Sequence, residues 1–277
     1  MNLENVSVSL KLENVRLGVY KMKERIITAV VLIAVLLGSV FLGPIAVQAL
    51  VSLFLAVGAY EVYRTRRTKV APIVLIPYVL FVLGAMLIPE SLYVVYVSAI
   101  LLVFFIMAVV FKWYTLDELS FSFLMIVMLV TTAVAFKRLL EIDMVVLIYP
   151  MIAAFGADTC AFFGGKMFGK TKLIPRLSPN KTVEGAIAGY VGGVILSFVF
   201  AYFVVQAHID LIPLVVASLL MPILSQLGDL SFSLVKRRYD IKDFGHIFPG
   251  HGGVLDRIDS LVFAILTLNI VLSVLVG

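Results

Sequence analysis

Charge is what this chain has least of. Asp, Glu, Lys and Arg make up 14% of its 277 residues, against about 25% in soluble domains. Hydrophobic residues reach 62% and mean hydropathy is +1.12, so too few charges exist to cover such a core in water. A single cysteine excludes a disulfide framework and a cysteine-based zinc site. The net charge of +5 is no nucleic-acid footprint, because no basic patch is interleaved with aromatics. P-loop and Rossmann glycine patterns are missing, and no Ser-His-Asp or Cys-His constellation is legible. What remains is an integral membrane protein.

The chain is rich instead in long apolar runs. A helix needs about 20 apolar residues to cross the hydrocarbon, and nine stretches qualify: 26–42, 45–60, 71–88, 92–111, 120–136, 144–163, 183–206, 211–230 and 254–276. None alternates with period two, which argues against a β-barrel. The expected fold is therefore an all-α, polytopic bundle of about nine transmembrane helices. The first two runs are joined only by Gly43-Pro44, as a hairpin or one kinked segment. Residues 1–21 read as an N-terminal extension, compatible with a segment lying on the membrane surface. Residues 22–143 form an N-terminal set of spans. Residues 144–277 form a second set, carrying polar loops at 164–182 and 231–253.

Orientation follows from the positive-inside rule. With a cytoplasmic N-terminus and nine crossings, twenty of the 22 Lys and Arg fall on the cytoplasmic side. Lys137 and Arg138 alone fall opposite.

Two cytoplasmic segments are chemically unlike the rest. One runs from Asp158 through Ser178-Pro-Asn-Lys181-Thr182-Val-Glu184; the other runs from Asp229 through Ser233, Lys236, Arg237, Lys242 and Pro249-Gly-His251-Gly252-Gly253 to Asp256, Arg257 and Asp259. Carboxylates at membrane depth are costly unless paired or solvated, so they are functional candidates. Asp229, Ser233 and Arg237 follow an i, i+4, i+8 line, and Asp256 and Asp259 share a helix face. Clustered Asp beside Lys and Arg is what a Mg²⁺–polyphosphate site requires. Mg²⁺ takes one or two carboxylates and completes its octahedron with phosphate and water, while Lys and Arg neutralise the remaining phosphate charge. The Pro-Gly-His-Gly-Gly turn can bring backbone N–H groups against an anion.

Each feature also has a plainer reading. Asp256–Arg257 and Asp229–Lys236 would serve as structural ion pairs, and His251 as a packed turn residue. Gly164-Gly165 and Gly192-Gly193 read as close helix contacts, and Cys160 as a small packed residue. Ser178-Pro179 suits an N-cap followed by Pro at the first helical position. Glu61 and Glu184 stand at span ends from which both could reach water; only Glu184 lies in a dense polar segment.

Taken whole, the second segment is more specific than its parts. Ser233-x-x-Lys236-Arg237-x4-Lys242-Asp243-x-Gly245-x-x-Phe248-Pro249-Gly250-His251-Gly252-Gly253-x-x-Asp256-Arg257-x-Asp259 resembles the signature of the phosphatidate cytidylyltransferases, or CDP-diacylglycerol synthases. Asp158-Thr159-x-Ala161, Ser178-Pro179-x-Lys181-Thr182-x-Glu184-Gly185 and Leu227-Gly228-Asp229 are similar to that family too. Cys160, Phe162 and Val183 stand where the family has Gly, Tyr and an aromatic. The resemblance implies transfer of CMP from CTP to phosphatidic acid, giving CDP-diacylglycerol and pyrophosphate with Mg²⁺ at the cytoplasmic membrane. It implies Asp229 and Asp256 as metal ligands, with Asp259 and Asp158 as second choices. Lys236, Arg237, Arg257 and Lys181 would hold phosphates; Ser178, Thr182 and His251 would supply hydrogen bonds. Glu184, Lys242, Gly252 and Gly253 complete the expected substrate-binding set. A second cation and a homodimer are left open. A CTP-dependent lipid-alcohol kinase and a transporter are the competing classes, and the latter would place its carboxylates nearer the midplane.

Overall fold

The computed structural model describes residues 28–276 except 29, 33, 67–68 and 249–251. The extension over 1–21, the start of the first apolar run and His251 lie outside the described residues.

Every apolar run is helical where it is described. The helices are α1 (Val30–Leu42), α2 (Pro44–Arg66), α3 (Leu75–Gly84), α4 (Tyr93–Val110), α5 (Leu116–Ile142), α6 (Ile148–Phe168), α7 (Val183–Phe203), α8 (Leu211–Arg238) and α9 (Leu255–Leu275). Seven of them, α2 and α4–α9, are long and apolar enough to cross a membrane, while α1 and α3 are shorter. Helices α1 and α2 are separated by Gly43 alone, at a left-handed φ of +98°, with Pro44 opening α2 as its fixed φ allows.

Several helices outrun the apolar stretches that announce them. Arg64 and Arg66 occupy the last turn of α2, and Lys236, Arg237 and Arg238 that of α8. Cations there complement the negative end of the helix dipole. Hydropathy registers where hydrocarbon would stop, not where backbone hydrogen bonding stops.

Contacts sort the helix ends into two groups. At one end, Arg66 of α2 pairs with buried Glu118 in the first turn of α5 (Nε to Oε2 2.6 Å). The Arg66 guanidinium also lies 4.7 Å from the ring centroid of Tyr239, just after α8, which packs on Phe121 of α5. At the other end, Lys137 donates to the Ile88 carbonyl at 3.1 Å, and Arg138 meets Glu90 and Ser273. Short α3 and its flanking turns bridge the two ends. Tyr78 hydrogen-bonds Tyr114 and Ser122 near the start of α5, whereas Ile88 reaches Lys137 near its finish. Lys137 and Arg138 thus stand apart from the other described Lys and Arg, as the charge count requires. The protein is a multi-pass membrane bundle.

Helix α5 is the most enclosed, packing on α2, α3, α4 and α9, while α6–α9 pack on one another. Helix α7 presents Gly185, Gly189, Gly193, Ser197 and Ala201 as a buried stripe at four-residue spacing. A Cβ on Gly189 would lie 2.7 Å from the Ala157 carbonyl, and one on Gly164 would collide with Ala188. The glycine pairs are therefore close helix contacts, the small-residue packing that membrane helices use. Cys160 sits in the same seam against Gly192.

The all-α expectation has one local exception. Between α6 and α7 lies an antiparallel hairpin, β1 (Lys172–Ile174) and β2 (Ser178–Thr182), pairing Lys172 with Thr182 and Ile174 with Ser178. Ser178-Pro179 is consequently strand and not a helix start. Thr182 is the N-cap of α7, its hydroxyl accepting from the Gly185 N–H at 3.1 Å; a Thr bonded to N3 meets the capping requirement without proline.

Candidate active site

Carboxylates of three helices lie in one neighbourhood without converging on a single point. Asp158 of α6, Asp229 of α8 and Asp259 of α9 stand close enough for each to feel the others' charge. The cause lies partly in Gly228, where a Cβ would lie 2.7 Å from the Asp259 carbonyl and 2.8 Å from the Phe263 ring. Only glycine lets α8 and α9 cross so closely, which puts Asp229 beside Asp259. Asp259 accepts from the Ser260 N–H at 2.8 Å. Lys181 of β2 reaches across to form an ion pair with Asp229.

The polar line along α8 faces the hairpin. Asp229 meets Lys181, Ser233 is buried, and Arg237 donates to the Leu177 carbonyl at 3.4 Å. The hairpin is held in turn by Glu184, whose carboxylate accepts from the Lys170 and Thr171 N–H groups at 3.1 Å. Glu184 and Thr182 thereby build the frame around Lys181.

A second polar group adjoins the first. Lys236 Nζ lies 2.9 Å from Asp256 Oδ1 and 5.7 Å from the Phe244 ring centroid. The other Asp256 oxygen accepts from the N–H groups of Phe244 at 2.8 Å and Gly253 at 3.0 Å. These are not the ion pairs suggested by sequence proximity: Asp229 pairs with Lys181, and Asp256 with Lys236. Arg257, one residue on, projects from the first turn of α9 and is exposed. Lys242 is likewise exposed on the loop between α8 and α9.

The sequence reading passed over the residue that completes this loop. Glu61 of α2 is fully buried and does not reach water. Its Oε1 accepts from the Val254 N–H at 2.9 Å, and its Oε2 from the Leu255 N–H at 2.8 Å. A Cβ on Gly245 or on Gly253 would lie 2.2 Å from Glu61 Oε1. Within the glycine-rich turn the Gly253 N–H goes to Asp256, and the next two N–H groups, of Val254 and Leu255, hold Glu61. Gly252, at a φ of +83°, accepts at its carbonyl from the Phe248 N–H at 3.0 Å. The signal for Glu61 was available: a carboxylate inside an apolar helix is costly wherever it occurs.

Among the described residues, no group of three or more acidic, His or Cys side chains is placed to hold a metal ion. Mg²⁺ does not need one, since substrate phosphates and water supply most of its ligands. The oxygen donors in this neighbourhood are Asp229, paired with Lys181, and the carboxylates of Asp158 and Asp259. Asp256 is already committed to Lys236 and two N–H groups. Asp158 is recessed: it lies ten residues before the end of α6, about 15 Å at the helical rise.

Comparison with known proteins matches the sequence to an existing group. The family model described as "Cytidylyltransferase family" matches residues 23–275. The chain is 34% identical over 257 residues to the phosphatidate cytidylyltransferase of Bacillus subtilis (strain 168), covering 87% of this chain and 94% of that protein. It is 41% identical over 126 residues to the phosphatidate cytidylyltransferase of Staphylococcus haemolyticus, 46% of this chain and 48% of the relative. Over 122 residues it is also 41% identical to the Haemophilus influenzae protein of that name, 43% of this chain and 42% of the relative. With a match running nearly from end to end, the chain belongs to the cytidylyltransferase family.

Proposed function

We propose that this protein is a phosphatidate cytidylyltransferase. It would join CTP and phosphatidic acid into CDP-diacylglycerol, releasing pyrophosphate, with Mg²⁺ at the cytoplasmic face. The observation that carries the reading is the two ion pairs Lys181–Asp229 and Lys236–Asp256, with the carboxylates of Asp158 and Asp259 nearby, at the cation-rich end of a membrane bundle. The same cation excess supports the cytoplasmic orientation.

The lipid phosphate is already an anionic nucleophile, so the site has no need of a strong base. An oxygen of that phosphate attacks the α-phosphorus of CTP; the bond from the α-phosphorus to the bridging oxygen breaks, and pyrophosphate leaves with the electron pair. The barrier lies in bringing two anions together, and fixed cations in a recessed site lower it by positioning and charge neutralisation. Lys236, steadied by Asp256 and the Phe244 ring, and Lys181, steadied by Asp229, are the best-placed cations for phosphate oxygens. Arg237, Arg257 and Lys242 stand toward the aqueous rim, where they would receive the triphosphate. Mg²⁺ held by Asp229 with Asp158 and Asp259 would supply further neutralisation of phosphate charge.

Purified protein in vesicles containing phosphatidic acid, given CTP and Mg²⁺, tests the reading. Label at the α-phosphate of CTP should enter the lipid, with one pyrophosphate released per CDP-lipid. Entry of γ-label would replace this reading with a kinase, and no incorporation of either label would reject it.

A further inference from the structure

We propose that Glu61 is a positioning residue of the transfer site, a built-in anion around which the loop between α8 and α9 closes. Glu61 is fully buried, and no Lys or Arg forms an ion pair with it among the described residues. A buried carboxylate without a cation is expensive. Here the compensation comes from two N–H groups at the start of α9, Val254 at 2.9 Å and Leu255 at 2.8 Å, and from the positive end of that helix.

The loop is shaped for this carboxylate. Gly245 and Gly253 press on it from positions where any Cβ would overlap Oε1. The preceding N–H, of Gly253, serves Asp256 instead, donating to its Oδ2 at 3.0 Å, while Phe244 donates to the same oxygen at 2.8 Å. Consecutive N–H groups at 253, 254 and 255 are thus shared between two carboxylates, one from α9 itself and one from α2. Asp256 in turn fixes Lys236 at 2.9 Å. Glu61 touches no reacting atom by this geometry. It sets the first turn of α9, and through that turn the placement of Asp256, Lys236 and Asp259.

The kinetic part of this inference rests on the cytidylyltransferase reading; the conformational part does not. The test is Glu61→Gln in the full chain in vesicles. Its readouts are kcat and KM for CTP and phosphatidic acid, the thermal midpoint, and hydrogen exchange of the 244–255 amides. Glu118→Gln is the comparison, because it breaks the buried pair with Arg66 at the same end of α2 without touching the loop. Glu61→Gln should speed exchange at 253–255 and lower kcat by about tenfold or more, the effect expected of a displaced catalytic group. Glu118→Gln should lower the thermal midpoint yet keep kcat per folded molecule. If Glu61→Gln behaves like Glu118→Gln, with loop exchange and kcat unchanged, the proposal is wrong. If it does not fold, Gly253→Ala presses a methyl on the same carboxylate from the loop side. A folded Gly253→Ala with wild-type kcat and exchange would equally overturn it. Should the wild type make no CDP-lipid, the transferase reading fails, and the exchange comparison still decides the role of Glu61.

Discussion

Asp229 and Asp256 looked equivalent in sequence, each a carboxylate at a span end with basic residues nearby. The structure separates them. Asp229 is half-buried, with Lys181 as its partner and two further carboxylates around it, whereas the Asp256 side chain is 3% exposed and engaged on both oxygens. Asp229→Asn should therefore extract as folded protein and lose about 10³-fold in CDP-lipid formation, measured at saturating CTP and Mg²⁺. Asp256→Asn should lose activity and also stability, by about 3–5 kcal/mol, because Lys236 is left buried against a neutral partner. Thermal unfolding in detergent distinguishes the two, and an Asp229→Asn protein that kept substantial activity would leave the metal set. The identities of these residues were legible because charges are conspicuous in an apolar chain. Their pairings were not, since Lys181 lies 48 positions from Asp229 and sequence spacing orders only neighbours on one helix. Glu61 was missed for the same reason: its partners are backbone amides of a loop nearly two hundred residues away.

At the scale of elements, the small-residue seam between α6 and α7 makes predictions of its own. A Cβ at Gly192 would meet Cys160 at 2.3 Å from Sγ, a side-chain obstacle. At Gly189 the obstacle is the Ala157 carbonyl at 2.7 Å, which is backbone. Gly192→Ala should thus destabilise by about 1–3 kcal/mol and be rescued by Cys160→Gly, while Gly189→Ala should resist rescue by any side-chain deletion at 160. Detergent thermal midpoints of the single and double variants decide this. Thr182→Ala should cost about 1 kcal/mol through the lost cap. The number and order of helices were readable from hydropathy; their ends were not, because charged last turns continue the backbone ladder beyond the apolar stretch. The β1–β2 hairpin escaped notice because Ser-Pro-Asn-Lys-Thr has no apolar alternation to reveal it. Its pairing is local and is held from outside by Glu184.

For the whole molecule, the two groups of helix ends fix which loops share a side. Ser273 near the end of α9 meets Arg138, while Lys181 and Arg237 lie with the hairpin at the opposite end. A reporter fused after Gly277 and one inserted beside Lys172 should consequently report opposite sides of the membrane, the second cytoplasmic. Finding both on one side would break the crossing pattern of α7–α9. This much of the architecture was implicit in a charge count, because Lys and Arg are expensive to translocate and mark the side they stay on.

The recess of Asp158, about 15 Å below the end of α6 at the helical rise, bears on how a lipid would be handled. Lifting an acyl chain into water requires about 0.8 kcal/mol for every methylene exposed, so drawing even one long chain out to a surface-level site would exceed the binding energy of most headgroups. A centre set below the helix ends would spare that work. The lipid needs only lateral diffusion to arrive and to leave, and the journey across the interface falls to the water-soluble nucleotide.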